Sequence, residues 1–140
     1  MRLTNTKLER FEDLTAWQEA RKLVKLVYDI TAEPSFGRDR DLTRQMRRAA
    51  VSAMANIAEG FSRYSFKDSK QFFIISRGSL EELRSHMYIA MDQAHLLEEQ
   101  FLIVQNTLEV VGKLVSGLIR NSQRRLELSA SDRAMERLNN

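Results

Sequence analysis

The chain has 140 residues, 43% of them hydrophobic and 29% charged, with a net charge of +3. That is the length of one domain, enough to bury a core, with the balance of an ordinary soluble protein. Cysteine is absent, which excludes a disulfide framework, a thiol nucleophile and a thiolate metal site. One proline and five glycines leave few breakers and favour long helices over a many-turned β fold. No apolar run approaches the ~18–20 residues that span a bilayer. The polar start MRLTNTKLERFEDL lacks a signal-peptide core. The expectation is an all-α cytoplasmic protein with no membrane partner.

Residues 1–12 read as a polar leader. Asp13 or Thr15 can cap the helix that follows, with Phe11 and Leu14 as a hydrophobic staple. Helix one is predicted over about 14–31, where Trp17, Ala20, Leu23 or Val24, Val27 and Ile30 form the apolar stripe. Trp17 could stack on a base, but its place in the stripe assigns it to the core. Tyr28 lies off the stripe, toward an edge or a subunit contact. Glu33-Pro34-Ser35-Phe36-Gly37 ends this helix, because the residue before proline is biased out of the helical region.

Helix two is predicted over 41–61, capped by Asp39 or Asp41. Met46, Ala49, Ala50, Ala53, Met54 and Ile57 recur at helical steps. Its many small residues let a neighbouring helix come close. Gly60 is expected as a left-handed C-terminal residue. Glu59 is expected to cap, or to pair with Arg47, Arg48 or Arg63. Tyr64-Ser65-Phe66 makes the next turn, where aromatics interleave with Arg63, Lys67 and Lys70. That is a short nucleic-acid pattern, although aromatics there can equally close the end of a bundle, and the latter is the expectation.

Helix three, 67–97, starts at Ser65 or Asp68. Its stripe is Phe72, Ile75, Ser79, Leu83, Met87, Ala90, Ala94 and Leu97, and Phe73, Ile74, Leu80 and Tyr88 form a second apolar side that calls for another subunit. The mid-helix Gly78-Ser79 costs about 1 kcal/mol in propensity, which close contact with the thin face of helix two would offset. Asn56 is then expected to bond Ser79 or Glu82. Helix four, 98–126, has Phe101, Val104, Leu108, Val111, Val115, Leu118 and Ser122 facing inward. Residues 129–140 form a short capped helix or a loose tail. The bundle thus occupies 13–128, an antiparallel up-down-up-down four-helix bundle. A domain-swapped dimer with helices three and four fused is the alternative.

Charge is polarised along the chain. Between Phe36 and Lys70, eight basic residues face four acidic ones, a net +4; between Glu81 and Glu99, five acids face Arg84 alone, a net −4. Such a basic segment is the footprint of a phosphate-backbone binder or a solvated face paired with acids of a neighbouring subunit. Catalytic patterns are missing. His86 and His95 share one predicted helix and form no Glu-x-x-His motif, and there is no Gly-rich phosphate loop or Ser-His-Asp arrangement. The reading is a non-enzyme with no cofactor and no metal.

QMRRAAVSAMANIAEGFSR (45–63), with GSLEEL (78–83) and FEDLTAWQEA (11–20), resembles the 23S rRNA intervening-sequence proteins, a four-helix-bundle family, over roughly residues 11–120. Ala53 departs from the branched aliphatic residue usual in the family, a matter of packing. The motif positions carried by the resemblance are Asn56, Glu59, Gly60, Gly78, Ser79 and Glu82. The resemblance implies ring-shaped homopentamers with basic surfaces, encoded within ribosomal RNA gene insertions and related to accessory subunits of retroelement reverse transcriptases. Arg44, Arg47, Arg48, Arg63, Lys67 and Lys70 would then contact the phosphates of a structured RNA. In the other reading the protein is a self-assembling scaffold, partnered by itself or by an RNA-handling protein, whose arginines meet acids such as Glu81, Glu82, Glu98 and Glu99.

Overall fold

The computed structural model describes residues 8–140, so the first seven residues of the predicted leader lie outside it. Among the described residues four α-helices form: α1 (Thr15–Thr31), α2 (Arg40–Phe61), α3 (Phe66–Asp92) and α4 (Glu98–Asn139). Among the described residues there is no strand. Each helix packs on the next and α4 returns to α1, closing a four-helix bundle through short connections.

The starts of the helices follow local chemistry. Asp39 caps α2, accepting from the Leu42 N–H, and Ser65 caps α3, accepting from the Asp68 N–H. Neither Asp13 nor Thr15 caps α1. Instead a 3-10 turn at Phe11–Asp13 leads in. Phe11 meets the Trp17 ring edge-on at 5.1 Å, and the Gln18 side chain donates to the Glu12 carbonyl.

The core is built from one face of each helix. Leu23, Val27, Met46, Ile57, Leu83, Met87, Val104, Leu108, Val111 and Val115 are fully enclosed or nearly so, each worth about 1.5–3 kcal/mol relative to exposure. Trp17 is only half-buried, packed against this core. From Ser79 onward the stripe of α3 is the expected one, with Ser79, Leu83, Met87 and Ala90 buried. Before it the stripe is turned by one residue: Phe73 and Ser76 face inward, while Ile75 is exposed. A buried serine explains the shift: Ser76 holds an inward position that an apolar pattern assigns outward. On α4, Ile119 takes the place expected of Leu118.

Helices α2 and α3 join through a polar seam. Ser76 donates to the Ala53 carbonyl at 2.8 Å, and Ser52 and Ser79 share a bond of 2.8 Å. Asn56 reaches neither Ser79 nor Glu82. It donates to the Ser52 carbonyl at 2.8 Å and to the Ser52 hydroxyl at 3.2 Å. Because that hydroxyl accepts from Asn56, its own proton is free for Ser79. Glu82 lies at 3.3 Å from His86.

The glycines also divide differently. Gly60 sits inside α2 with no left-handed geometry, and a Cβ there would lie 2.5 Å from the Phe73 ring. Gly78 faces open space and supports no close helix contact. Helix α3 ends at Asp92, not Leu97. Ala94 takes the left-handed conformation at φ 57. The His95 N–H bonds the Ala90 carbonyl and the Ala94 N–H bonds that of Met91, the paired bonds of a Schellman stop. This turn separates α3 from α4, so the two are not fused.

Residues 129–139 are neither loose nor a separate helix, but the continuation of α4, which runs for 42 residues. By length and composition alone α4 is apolar enough to cross a membrane, contrary to the expectation that no stretch qualifies. Polar residues such as Gln105, Glu109 and Lys113 interrupt its apolar runs without lowering the average enough. Its packing on α1 and α3 gives it its place in the bundle, and the Glu109–Lys113 pair within the helix is exposed.

Opposite outcomes are expected for two alanine substitutions. Gly60→Ala overpacks the α2–α3 contact and costs about 1–3 kcal/mol, whereas Gly78→Ala gains about 1 kcal/mol from helix propensity. Chemical denaturation of the two variants checks both signs.

Candidate nucleic-acid interface

The basic residues of α2 start from a simple spacing. Arg40, Arg44, Arg47 and Arg48 lie at steps of four, seven and eight residues, which places them on one side of a helix. The structure brings all four to one cleft of about 590 Å³ between the end of α1 and the start of α2, shared with Tyr28, Thr31, Thr43 and Val51. The positive end of the α2 dipole lies beside them.

Arg47 is the anchored member. Its Nε donates to the Thr31 hydroxyl at 2.9 Å, and its guanidinium lies 4.6 Å over the Tyr28 ring. Thr31 in turn donates to the Val27 carbonyl at 2.6 Å. This fixes the Arg47 side chain through one nitrogen and leaves its terminal NH₂ groups to the cleft. Arg44 pairs with Asp41 at 3.3 Å, an exposed pair of small worth. Arg40 and Arg48 are exposed and form no ion pair among the described residues. The buried Thr43 hydroxyl has no hydrogen-bond partner there.

The loop beneath the cleft is tied to the turn between α3 and α4. His95 Nε2 lies 2.9 Å from Asp39 Oδ2, its ring packs 5.0 Å from Phe36, and Ser35 donates to the His95 carbonyl at 2.6 Å. The bond from His95, with the Leu42 N–H second, holds the Asp39 carboxyl below the usual carboxylate range.

The other three expected contacts lie elsewhere. Arg63 follows Arg44 by 19 positions along and just past α2, about 28 Å at helical rise. It pairs with Glu59 at 2.9 Å and covers the Phe72 ring at 4.4 Å. Lys70 bonds Gln123 of α4 at 2.6 Å, and Lys67 is exposed. The six residues thus form two groups, one at each end of α2. Tyr64 and Phe66 do not close the bundle end as expected: Phe66 is 44% exposed and Tyr64 fully so. Arg40 and Tyr28 complete the cleft. The arginine period was visible in the sequence, but the Tyr28 and Thr31 contacts arise only when α1 folds back on α2. Among the described residues, no three metal-ligating side chains come together.

A four-helix bundle with an arginine-lined cleft at one end is the class of protein that these features define. The chain belongs to the 23S rRNA-intervening sequence protein family, whose model matches residues 12–117. It is similar in fold to the crystal structure of a protein of unknown function from the S23 ribosomal protein family of Bacteroides thetaiotaomicron VPI-5482. The TM-score is 0.64 at 20% identity, over 74% of this chain and 94% of that one. No curated protein matches the chain.

Replacing Asp39 by Asn keeps a capping side chain but removes the charge that His95 meets. The Asp39 contribution is present above the ordinary carboxylate pKa and fades as pH falls through its lower folded value. Asp39→Asn is therefore expected to be less stable than the parent near pH 7, with the gap closing as pH falls below the ordinary carboxylate range. Denaturant titrations across that range measure the gap directly.

Proposed function

We propose that this protein is a non-enzymatic, RNA-associated bundle that assembles with copies of itself, in the cytoplasm. The observation that carries the reading is the placement of Arg40, Arg44, Arg47 and Arg48 in one cleft with Tyr28. A planar guanidinium presents paired donors to a phosphate, and four of them beside a helix N-terminus favour a polyanion. Contacts of this kind position a backbone and carry little sequence preference. The family's association with ribosomal RNA gene insertions points to structured RNA as the partner.

The experiment is the affinity for a structured RNA across a salt series, on nucleic-acid-free protein. Arg47 also braces α1 against α2, so Arg44→Ala/Arg48→Ala is the cleaner variant. It should bind more weakly, and the slope of log affinity against log salt should flatten by roughly 1.4–1.8 for two lost phosphate contacts. An unchanged slope would remove the cleft from RNA binding.

Self-assembly draws support from α4. Only 28% of its most apolar window is buried within the bundle, and Leu102, Ile103 and Val110 are each about half exposed on its outer side. A ring-shaped homo-oligomer, a pentamer by family resemblance, would cover them. This same surface favours the alternative of a protein scaffold with no direct RNA contact, in which acids of one copy meet arginines of the next. Sedimentation of the parent should give a multiple of the chain mass, and Ile103→Asp/Val110→Asp should reduce it toward one chain; a parent that sediments as a monomer at micromolar concentration contradicts the assembly.

A further inference from the structure

The turn between α2 and α3 carries a surface that the arginine cleft does not explain. The turn is held at both ends. Ser62 donates through Oγ to the Glu59 carbonyl at 3.0 Å and through N–H to that of Ala58 at 3.2 Å. Ser65 accepts from the Asp68 N–H at 3.1 Å. Between these fixed points stands Tyr64, wholly exposed, so its ring adds nothing to the core. A cavity of about 320 Å³ opens beside it, lined by Phe66, Phe73 and Leu118 among others.

The surroundings are cationic. Arg125 reaches from α4 to within 5.8 Å of the Phe66 ring centroid, and Arg63 covers Phe72. Lys67 projects from the first turn of α3, and Lys70, half-buried one turn on, keeps its charge beside the neutral Gln123 side chain to which it donates. Lys67 and Arg125 form no ion pair among the described residues. The acids of the turn are Glu59, already held by Arg63, and Asp68 at the start of α3. An exposed ring carried by a braced turn among lysines and arginines suits a ligand with flat faces and negative charge.

We infer that this end of the bundle is a stacking platform for unpaired bases of single-stranded RNA, with Tyr64 as the stacking face and Lys67, Lys70 and Arg125 on the flanking phosphates. The inference rests on the proposed RNA association and deepens it by naming the strand type and a base contact. Bases inside a duplex are already stacked on each other, so a protruding ring gains a partner only where bases are unpaired. The platform is distinct from the arginine cleft: Tyr64 follows Arg48 by 16 positions, about 24 Å at helical rise. One strand could therefore be held by phosphates at one end of α2 and by bases at the other.

The test is fluorescence anisotropy with a labelled single-stranded RNA and a blunt RNA duplex, each across a salt series, on the full chain. Tyr64→Ala should weaken single-strand binding about tenfold with the salt slope unchanged, because no charge is lost, and should leave duplex binding alone. Tyr64→Trp should restore the affinity. Unchanged single-strand affinity in Tyr64→Ala overturns the platform, as does an altered sedimentation mass, which would assign the ring to a subunit contact. If Arg44→Ala/Arg48→Ala weakens binding while Tyr64→Ala does not, the platform fails and the RNA reading stands. If the parent binds neither RNA at low salt, both fail together.

Discussion

The close approach of α2 and α3 governs the rest of the molecule. It depends on residues too small to hold two helices apart: Ala49, Ala50, Ala53 and Gly60 on α2, with Ser76 and Ser79 on α3. Small residues bury little apolar area, so the contact is directed by hydrogen bonds. The Ser76 bond to the Ala53 carbonyl and the Ser52–Ser79 bond fix the rotation of α3 against α2. A turned α3 would leave these hydroxyls buried and unpaired, which costs more than the bonds themselves contribute. Once α3 is set, α2 has arginines at one of its ends and an aromatic turn at the other.

Much of this was legible in the sequence, and the places where it was not share a cause. Helix number, the α2 core positions and the caps at Asp39 and Ser65 follow from local pattern. The facing of the first turns of α3 does not, because an apolar count favours Ile75 over Ser76, although the serine has the carbonyl partner. The stop at Ala94 was hidden too. Its residue type gives no sign of a left-handed conformation, which costs about 1–2 kcal/mol without glycine. The bonds from His95 and Ala94 to α3 and the packing of His95 between Phe36 and Asp39 hold it there.

The candidate site shows the same split. The side of α2 that carries the arginines can be read from spacing alone. What makes it a cleft cannot: Thr31 and Tyr28 belong to another helix, and their part depends on how α1 meets α2. The apparent basic patch of six residues was a property of the one-dimensional chain. A helix of 22 residues separates in space what the sequence places close together, and the two groups that result face different surroundings.

Helix α4 outlasts its neighbours. All residues from Glu127 onward are exposed, so the final turns stand clear of the core, about 20 Å of bare rod at helical rise. A single chain is accordingly a head with a handle. On its own it would reorient faster about the long axis than across it, and NMR relaxation of an amide depends on the angle that its bond makes with that axis. Since the amides of α4 lie nearly parallel to one another, those packed in the head should relax as one class, and those of the handle should depart from it as its unpacked end frays.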